Sequence, residues 1–287
     1  MIFQLIMKII SWNVNGIRSR IFNDSIGSKL KKDKDIVISE DSPIQDILKY
    51  DPDVICFQET RCNKELGEKH IKIPGYRSFF NESLADGARS SNRYSGTAIF
   101  YKSHMQPVAI HTEINDYKDD EGRIIAMEFE NFKIINVYAP NSGTNLDKKH
   151  LFIDAMLNYL NTSNDKFTIF CGDMNIAVDT HFLPSFEYAQ MPGLYPHEID
   201  FWTNLKDINF VDPIKCEIVY TWWDPRQRKE NGMSAARNRN KGWRLDYFFV
   251  NQKTNHCSSK CLKVIGENNQ GIPLASDHAP ILLEITD

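Results

Sequence analysis

The chain has 287 residues, 41% hydrophobic and 25% charged, with 38 acidic against 34 basic residues and a formal net charge of −4. These values match globular averages and exclude whole-chain disorder, collagen-like repeats and coiled coil. No apolar run approaches the roughly 18–20 residues of a membrane span, six scattered cysteines make no disulfide framework, and the charge balance excludes a histone-like binder while leaving room for a local basic surface.

In chain order, Met1 to Ile10 carries Gln4 and Lys8, with no basic leader region and no small-residue cleavage site. No signal peptide or membrane partner is expected, and unpaired thiols point to an intracellular protein. Ile9-Ile10 predicts a strand that runs into Ser11-Trp12-Asn13-Val14-Asn15-Gly16. Residues 23–41 are polar and charged and read as a surface insertion. Ser42-Pro43 has the form of an N-cap followed by proline at the first helical position, opening a helix with Ile44, Ile47 and Leu48 inward. Val54 to Phe57 predicts a strand ending in Gln58-Glu59, and Thr97 to Tyr101 another. The strand at 134–138 ends in Tyr138-Ala139-Pro140-Asn141. Residues 148–162 predict a helix with Leu151, Phe152, Ala155, Met156, Tyr159 and Leu160 on its inner stripe. The strand at 167–171 runs into Gly172-Asp173-Met174-Asn175. Residues 197–208 predict a helix burying Ile199, Trp202, Leu205 and Ile208. Residues 224–244 hold seven basic against two acidic residues, +5 over 21 positions, and read as a surface loop. Asp246 opens a strand at 247–250, and Ser276-Asp277-His278 precedes the last one, at 281–283. Alternating strands and helices without a linker predict one α/β domain over residues 1–287.

Ionisable and amide side chains at the ends of buried strands are what an α/β active-site rim needs. Each has a plainer reading. Glu59 and Asp246 could be capping carboxylates, Asp173 and Asn175 a simple turn, and Asp277-His278 an ordinary turn pair. The chemical readings are a carboxylate for Mg²⁺ at Glu59, a base with an amide donor at Asp173 and Asn175, and an acid/base or phosphate-binding imidazole at His278 oriented by Asp246. Five such strand ends in one chain are hard to assign to turn chemistry. No Gly-x-Ser-x-Gly elbow, Walker A motif or strand-linked Gly-x-Gly-x-x-Gly is present. His256-Cys257 and Cys261 lack the second ligand pair of a structural zinc site. Cys56 and Cys171 read as core thiols. Trp222, Trp223 and Trp243 flank the basic segment, and such aromatics can pack on an exposed sugar while cations neutralise phosphates.

Together these stretches resemble the exonuclease III / apurinic–apyrimidinic (AP) endonuclease family of the endonuclease/exonuclease/phosphatase superfamily. The resemblance runs in order from Lys8 to the C-terminus. Gly172-Asp173-Met174-Asn175 and Ser276-Asp277-His278 are shared across the superfamily. Tyr138-Ala139-Pro140-Asn141, Tyr220-Thr221-Trp222-Trp223 and Gly242-Trp243-Arg244-Leu245-Asp246-Tyr247 are specific to the AP endonuclease branch.

The resemblance implies a four-layer α/β sandwich of two mixed sheets with helices outside, acting as a monomer on duplex DNA with abasic sites. It implies cleavage 5′ to the lesion leaving a 3′-hydroxyl, with 3′-phosphodiesterase or 3′–5′ exonuclease side activities. Mg²⁺ (or Mn²⁺) is implied on Glu59 and Asp277, with Asn13 and Asn15 beside it. Some members assign a second ion to Asp173, Asn175 and His278. The implied roles are water activation for Asp173, phosphate contacts for Asn175, His278, Tyr138 and Asn13, and orientation of His278 for Asp246. DNA contacts are implied for Arg18, Arg61, Tyr94, Arg123 and Asn141. Trp222 and Trp243 are expected in an abasic pocket, with Arg237 and Arg239 on phosphates and Trp223 structural. Asn15 stands where some members carry Asp, and Thr144 where some place Arg. The segment at 224–241 is longer than usual. Two alternatives stay open: a relative acting on another phosphoester, and a DNA-binding protein with lapsed catalysis.

Overall fold

The apolar runs pair into two six-stranded sheets because most are buried on both faces, and a strand so buried needs a layer above and below it. The structure is a computed structural model that describes residues 6–18, 36–38, 42–84, 94–114, 117–162, 165–177, 191–213, 220–226, 229–230, 233–251, 258–264 and 276–286. Most of the 23–41 insertion and the His256-Cys257 pair lie outside the described residues.

In chain order the strands are Ile6–Asn13 (β1), Ile36–Val37 (β2), Val54–Gln58 (β3), Ile71–Lys72 (β4), Tyr76–Asn81 (β5), Thr97–Lys102 (β6), Ala109–His111 (β7), Ile124–Glu128 (β8), Phe132–Tyr138 (β9), Phe167–Asp173 (β10), Phe210–Val211 (β11), Lys229–Glu230 (β12), Met233–Ser234 (β13), Asp246–Asn251 (β14), Ser258–Val264 (β15) and Ile281–Thr286 (β16). The helices are Pro43–Leu48 (α1), Lys64–His70 (α2), Leu146–Thr162 (α3), Pro196–Asp207 (α4) and Ala235–Asn238 (α5). One sheet has the order β15-β16-β1-β3-β6-β5 and the other β11-β14-β10-β9-β8-β7. Each is mixed. Its single parallel pair, β1 with β3 or β9 with β10, lies at the middle, and the other pairs are antiparallel.

The inner faces of the sheets pack on each other through Ile9, Cys56 and Ile99 from one and Ile134, Ile169 and Phe248 from the other. The outer face of the first sheet, with Trp12, Phe57 and Phe100, takes Ile44 and Ile47 of α1. The outer face of the second, with Ile135, Phe170 and Phe249, takes Phe152 and Met156 of α3 and Phe201 and Leu205 of α4. The layering is therefore helix, sheet, sheet, helix. Cys56 and Cys171 are buried between the sheets, and burial raises the Cys56 thiol well above its usual range.

Ser42 caps α1 through a bond from the Ile44 N–H at 3.3 Å, with Pro43 opening the helix. The inward faces of α3 and α4 differ from the expected stripes. Leu151 is 65% and Ile199 37% exposed, while Lys149 and Glu198 are fully buried and Phe201 packs on the sheet. A polar pair thus occupies positions that hydrophobic periodicity assigns outward. The 224–244 segment also departs from a surface loop: Ala235 and Ala236 of α5 are buried, as is Arg244. Arg244 pairs with Asp212 at 2.8 Å and lies over the Tyr247 ring.

Candidate active site

Register alone brings the rim residues into rows. In the second sheet Asp173, the last residue of β10, stands between Tyr138 on β9 and Asp246 on β14. In the first, Asn13 at the end of β1 pairs with Gln58 at the end of β3. The loops continue that pairing: the Val14 N–H bonds Gln58 O, and the Gly16 N–H bonds Glu59 O. Gly172 permits the close approach of β9 to β10, because a Cβ there would fall 1.9 Å from the Val137 carbonyl oxygen. Asn15, Glu59, Arg61 and Asn175 all hold positive φ between 48° and 49°. Glu and Arg adopt that region at a cost of order 1–3 kcal/mol, a strain that concentrates at functional sites.

Asn13 joins the two sheets. Its amide donates to Glu59 Oε1 at 3.0 Å and to Asp173 Oδ2 at 2.9 Å. Asn15 donates to Asp277 Oδ1 at 2.9 Å, and Trp222 Nε1 to Asp277 Oδ2 at 3.0 Å. The Ser276 hydroxyl bonds the Asn13 carbonyl at 2.7 Å, which fixes the Ser276-Asp277-His278 loop against β1. Across the gap His278 Nδ1 lies 2.8 Å from Asp246 Oδ2, and Nε2 lies 3.8 Å from Asp173 Oδ2. The Asn175 N–H donates to Asp173 Oδ1 at 2.9 Å, and its side chain donates to Ala139 O.

Burial and charge oppose each other here. Burial pushes the Asp173 carboxyl up to about 7, against the nearby His278 cation and the Asn13 bond, while Asp246 adds to the rise. For His278, burial disfavours the cation, but Asp246 and Asp173 outweigh it and raise the imidazole to about 10. Asp277 is held low despite burial, by the His278 charge and its bonds from Asn15 and Trp222. Burial, then the Glu59 charge, raises the Tyr138 phenol well above its usual range. The site therefore offers a fixed imidazolium beside a carboxylate that gains and loses a proton near neutral pH.

Two groups can hold a metal ion. Glu59, Asp277 and Asn15, the expected ligands, carry oxygen donors of the kind a hard divalent cation takes. Asp173, Asp246 and His278 bring three ligand-type atoms within 4.8 Å of one another.

The residues expected on DNA divide into several kinds. Tyr94 is 45% exposed and Arg239 is exposed. Arg18 is half-buried. Arg61 pairs with Glu59 at 2.6 Å. Trp222 and Trp243 are half-buried with ring centroids 6.0 Å apart, packed with Ala177, Leu194 and Leu245. Trp223 is buried in the core between the sheets. Asn141 donates to Asn175 Oδ1 at 3.3 Å. Arg123 is 2% exposed; its guanidinium donates to Glu121, Tyr138 O and Tyr94 Oη and holds Tyr138 in place. Arg237 folds back over the Trp223 ring at 4.6 Å and donates to Ser276 O at 2.7 Å.

Sequence reasoning assigned no role to Gln58 and Asn136. Gln58 donates to Ser11 Oγ at 3.0 Å and to Asn136 Oδ1 at 2.7 Å, and Asn136 reaches across to Phe57 O and Ala98 O. The signal was a lone amide inside the apolar run Ile134-Ile135-Asn136-Val137. Thr221 was also missed; its hydroxyl accepts from the Leu245 and Asp246 N–H groups and so fixes the start of β14.

The sequence model of the Endonuclease/Exonuclease/phosphatase family matches residues 10–278. Among curated relatives, an exodeoxyribonuclease from Bacillus subtilis is 30% identical over 97% of this chain and 99% of its own length. A DNA-(apurinic or apyrimidinic site) endonuclease from Dictyostelium discoideum is 30% identical over 96% of this chain and 69% of its own. Among solved structures, an AP endonuclease from Leishmania major aligns over 98% of this chain and 88% of its own, with a TM-score of 0.74 at 22% identity. An AP endonuclease from Archaeoglobus fulgidus aligns over 96% and 98% with a TM-score of 0.70, also at 22% identity. From its sheets, the rim they build and these likenesses, the chain belongs to the endonuclease/exonuclease/phosphatase family.

Proposed function

We propose that this protein is a DNA-repair endonuclease that hydrolyses the phosphodiester 5′ to an abasic site in duplex DNA, leaves a 3′-hydroxyl and depends on Mg²⁺. Trimming of blocked or ordinary 3′ ends would use the same site. The observation that carries this reading is the meeting, through Asn13, of Glu59 with the Asp173–His278–Asp246 charge system. The names of the exodeoxyribonuclease and AP endonuclease relatives support DNA as substrate.

Glu59 and Asp277, helped by Asn15, would hold Mg²⁺. When bound, the ion would stabilise charge developing on the phosphate and on the leaving 3′-oxygen. Asp173 is the base for the attacking water: its carboxyl, pushed up to about 7, takes a proton near neutral pH. The His278 cation and the Asn175 amide are donors for the non-bridging phosphate oxygens, in a buried setting where preorganised donors count most. Asp246 keeps the imidazole charged and oriented. Tyr138, with a phenol that stays protonated, is a further donor at the phosphate. Trp222 and Trp243 would receive the abasic sugar, which costs less to extrude than a stacked and paired nucleotide.

The test is incision of a duplex carrying one tetrahydrofuran abasic analogue, with Mg²⁺ and then with EDTA, beside an undamaged duplex. Metal-dependent cutting 5′ to the analogue alone is expected. Asp173→Asn should lower kcat by about 10³-fold or more while DNA affinity is kept. Absence of cutting by the wild type, or cutting that survives EDTA, would refute the proposal.

A further inference from the structure

Lys149 sits on the fourth residue of α3, with its side chain fully buried. Two local rules are broken there. A cation in the first turn of a helix opposes the helix dipole, and a buried ammonium is costly unless it is well bonded. Such violations gather at functional sites. Nζ lies 2.5 Å from the Met174 carbonyl oxygen, which belongs to the Met174–Asn175 peptide of the turn after Asp173. Glu198 is its charge partner, also fully buried, but the nearer carboxylate oxygen is 3.9 Å away and accepts no hydrogen bond among the described residues. The other oxygen accepts the Tyr195 N–H at the start of α4. The ammonium is thus drawn to the turn carbonyl rather than to the carboxylate that neutralises it.

The neighbouring Lys148 repeats the arrangement on a second rim loop. It pairs with Glu121 at 2.8 Å and Asp120 at 3.1 Å, and Glu121 in turn holds Arg123, which bonds the Tyr138 carbonyl. The first turn of α3 is therefore fastened to the turn after Asp173 and, through Glu121 and Arg123, to the end of the strand that carries Tyr138.

We propose that Lys149 is a positioning residue for the hydrolysis: it fixes the Asp173–Met174–Asn175 turn, and with it the angle at which Asp173 meets the attacking water. This rests on the hydrolase reading above. Burial lowers the Lys149 ammonium to about 8, with Glu198 and Asp173 opposing the fall, so it remains a charged donor at neutral pH.

The experiment compares the wild type, Glu198→Gln, and the pair Lys149→Met with Glu198→Gln, each by Tm and by kcat and KM on the abasic duplex. Glu198→Gln keeps the acceptor for the Tyr195 N–H and the Lys149–Met174 bond, and its kcat should stay within about threefold of wild type. The pair leaves no buried charge unmatched, so it should fold. Its kcat should fall roughly 10- to 100-fold with KM little changed, the cost of a misplaced reacting group. Wild-type kcat in the pair, a rise in KM instead, or an equal loss in Glu198→Gln alone would overturn the assignment. Should the pair prove unfolded at the assay temperature, Lys149→Gln with Glu198→Gln decides. Its shorter side chain draws the donor back from Met174: a fall in kcat of about tenfold or more with KM little changed in a folded protein supports the role, and wild-type kcat overturns it. A wild type that does not cut overturns the hydrolase reading and this role with it. A wild type that cuts beside unimpaired variants overturns only the role of Lys149.

Discussion

Replacing Asp246 by Asn isolates what the buried carboxylate does for His278. Asp246 Oδ2 is 2.8 Å from Nδ1, and Asp173 Oδ2 is 3.8 Å from Nε2. Burial by itself lowers the imidazole pKa; the carboxylates reverse this and carry it from 6.5 to about 10. At an effective dielectric constant of about 20, unit charges at these separations attract by roughly 6 and roughly 4 kcal/mol. Asp246 therefore supplies more than half of the attraction, and its loss is worth roughly 4 in pKa. The variant imidazole should titrate near pH ~6 and be neutral at pH ~8, whereas the wild-type ring is a cation at both. Asn keeps the volume and an accepting oxygen, so packing is little disturbed. Loss of one charged donor to the phosphate should lower kcat by about 10²–10³-fold at pH ~8, with partial recovery as pH falls through the new pKa. Stability moves the same way. A folded pKa above the unfolded one stabilises fully below about 6.5 and ceases to do so as pH rises through about 10. That alkaline loss, about 5 kcal/mol at most, should shift towards neutrality in the variant. Ring titration by NMR, kcat against pH and urea unfolding at two pH values read these quantities. A variant imidazole still titrating near 10, or an unaltered kcat profile, would refute the reasoning.

Glu59→Gln should raise the Mg²⁺ concentration for half-maximal rate by about tenfold or more, equivalent to about 1.4 kcal/mol; an unchanged metal titration removes Glu59 from the ligand set. Arg239→Gln should reduce the slope of log affinity against log salt by about 1, and an unaltered slope means that this side chain does not meet a phosphate. Arg237→Gln should instead act on kcat, since its guanidinium is engaged by Ser276 O and the Trp223 ring; a pure salt effect there would contradict that. Asn136→Leu should destabilise the fold by about 3 kcal/mol or more in urea unfolding, because Phe57 O, Ala98 O and Gln58 lose partners in a buried setting; a loss below about 1 kcal/mol would show the network to be dispensable.

The sequence made the central strands legible because they are buried on both faces and read as unbroken apolar runs. Their polar ends stood out for the same reason: Asn13, Glu59, Asp173 and His278 each follow or precede such a run. Edge strands were not legible. Tyr76–Asn81 forms β5 with only Phe80 buried, so no period marks it. The helix faces were misjudged where charge went inside. Lys149 and Glu198 occupy inner positions and leave Leu151 and Ile199 outside, and no count of hydrophobic spacing predicts a buried ion pair. The basic segment failed in a related way. Charge counts treat Arg237, Arg239 and Arg244 alike, yet Arg244 is buried against Asp212, Arg237 braces the Ser276 loop, and Arg239 is exposed. Arginine can stack, fork and pair within a fold as readily as it meets a phosphate.

A site shared between two stacked sheets raises a mechanical question, since apolar layers define spacing well but lateral register poorly. The polar ties answer it. Asn13 of the first sheet bonds Asp173 of the second, and His278 ahead of β16 meets Asp246 on β14. Below them Gln58 and Asn136 cross the sandwich. Sliding one sheet on the other would break all three contacts and leave buried donors and carboxylates unmatched, at roughly 1–3 kcal/mol each. A purely apolar interface would be easier to stabilise, but it would not fix one offset. The amides and carboxylates inside this sandwich therefore have two functions at once: they hold the sheets in a single register, and that register is what brings Asn13, Glu59, Asp173 and His278 to one point.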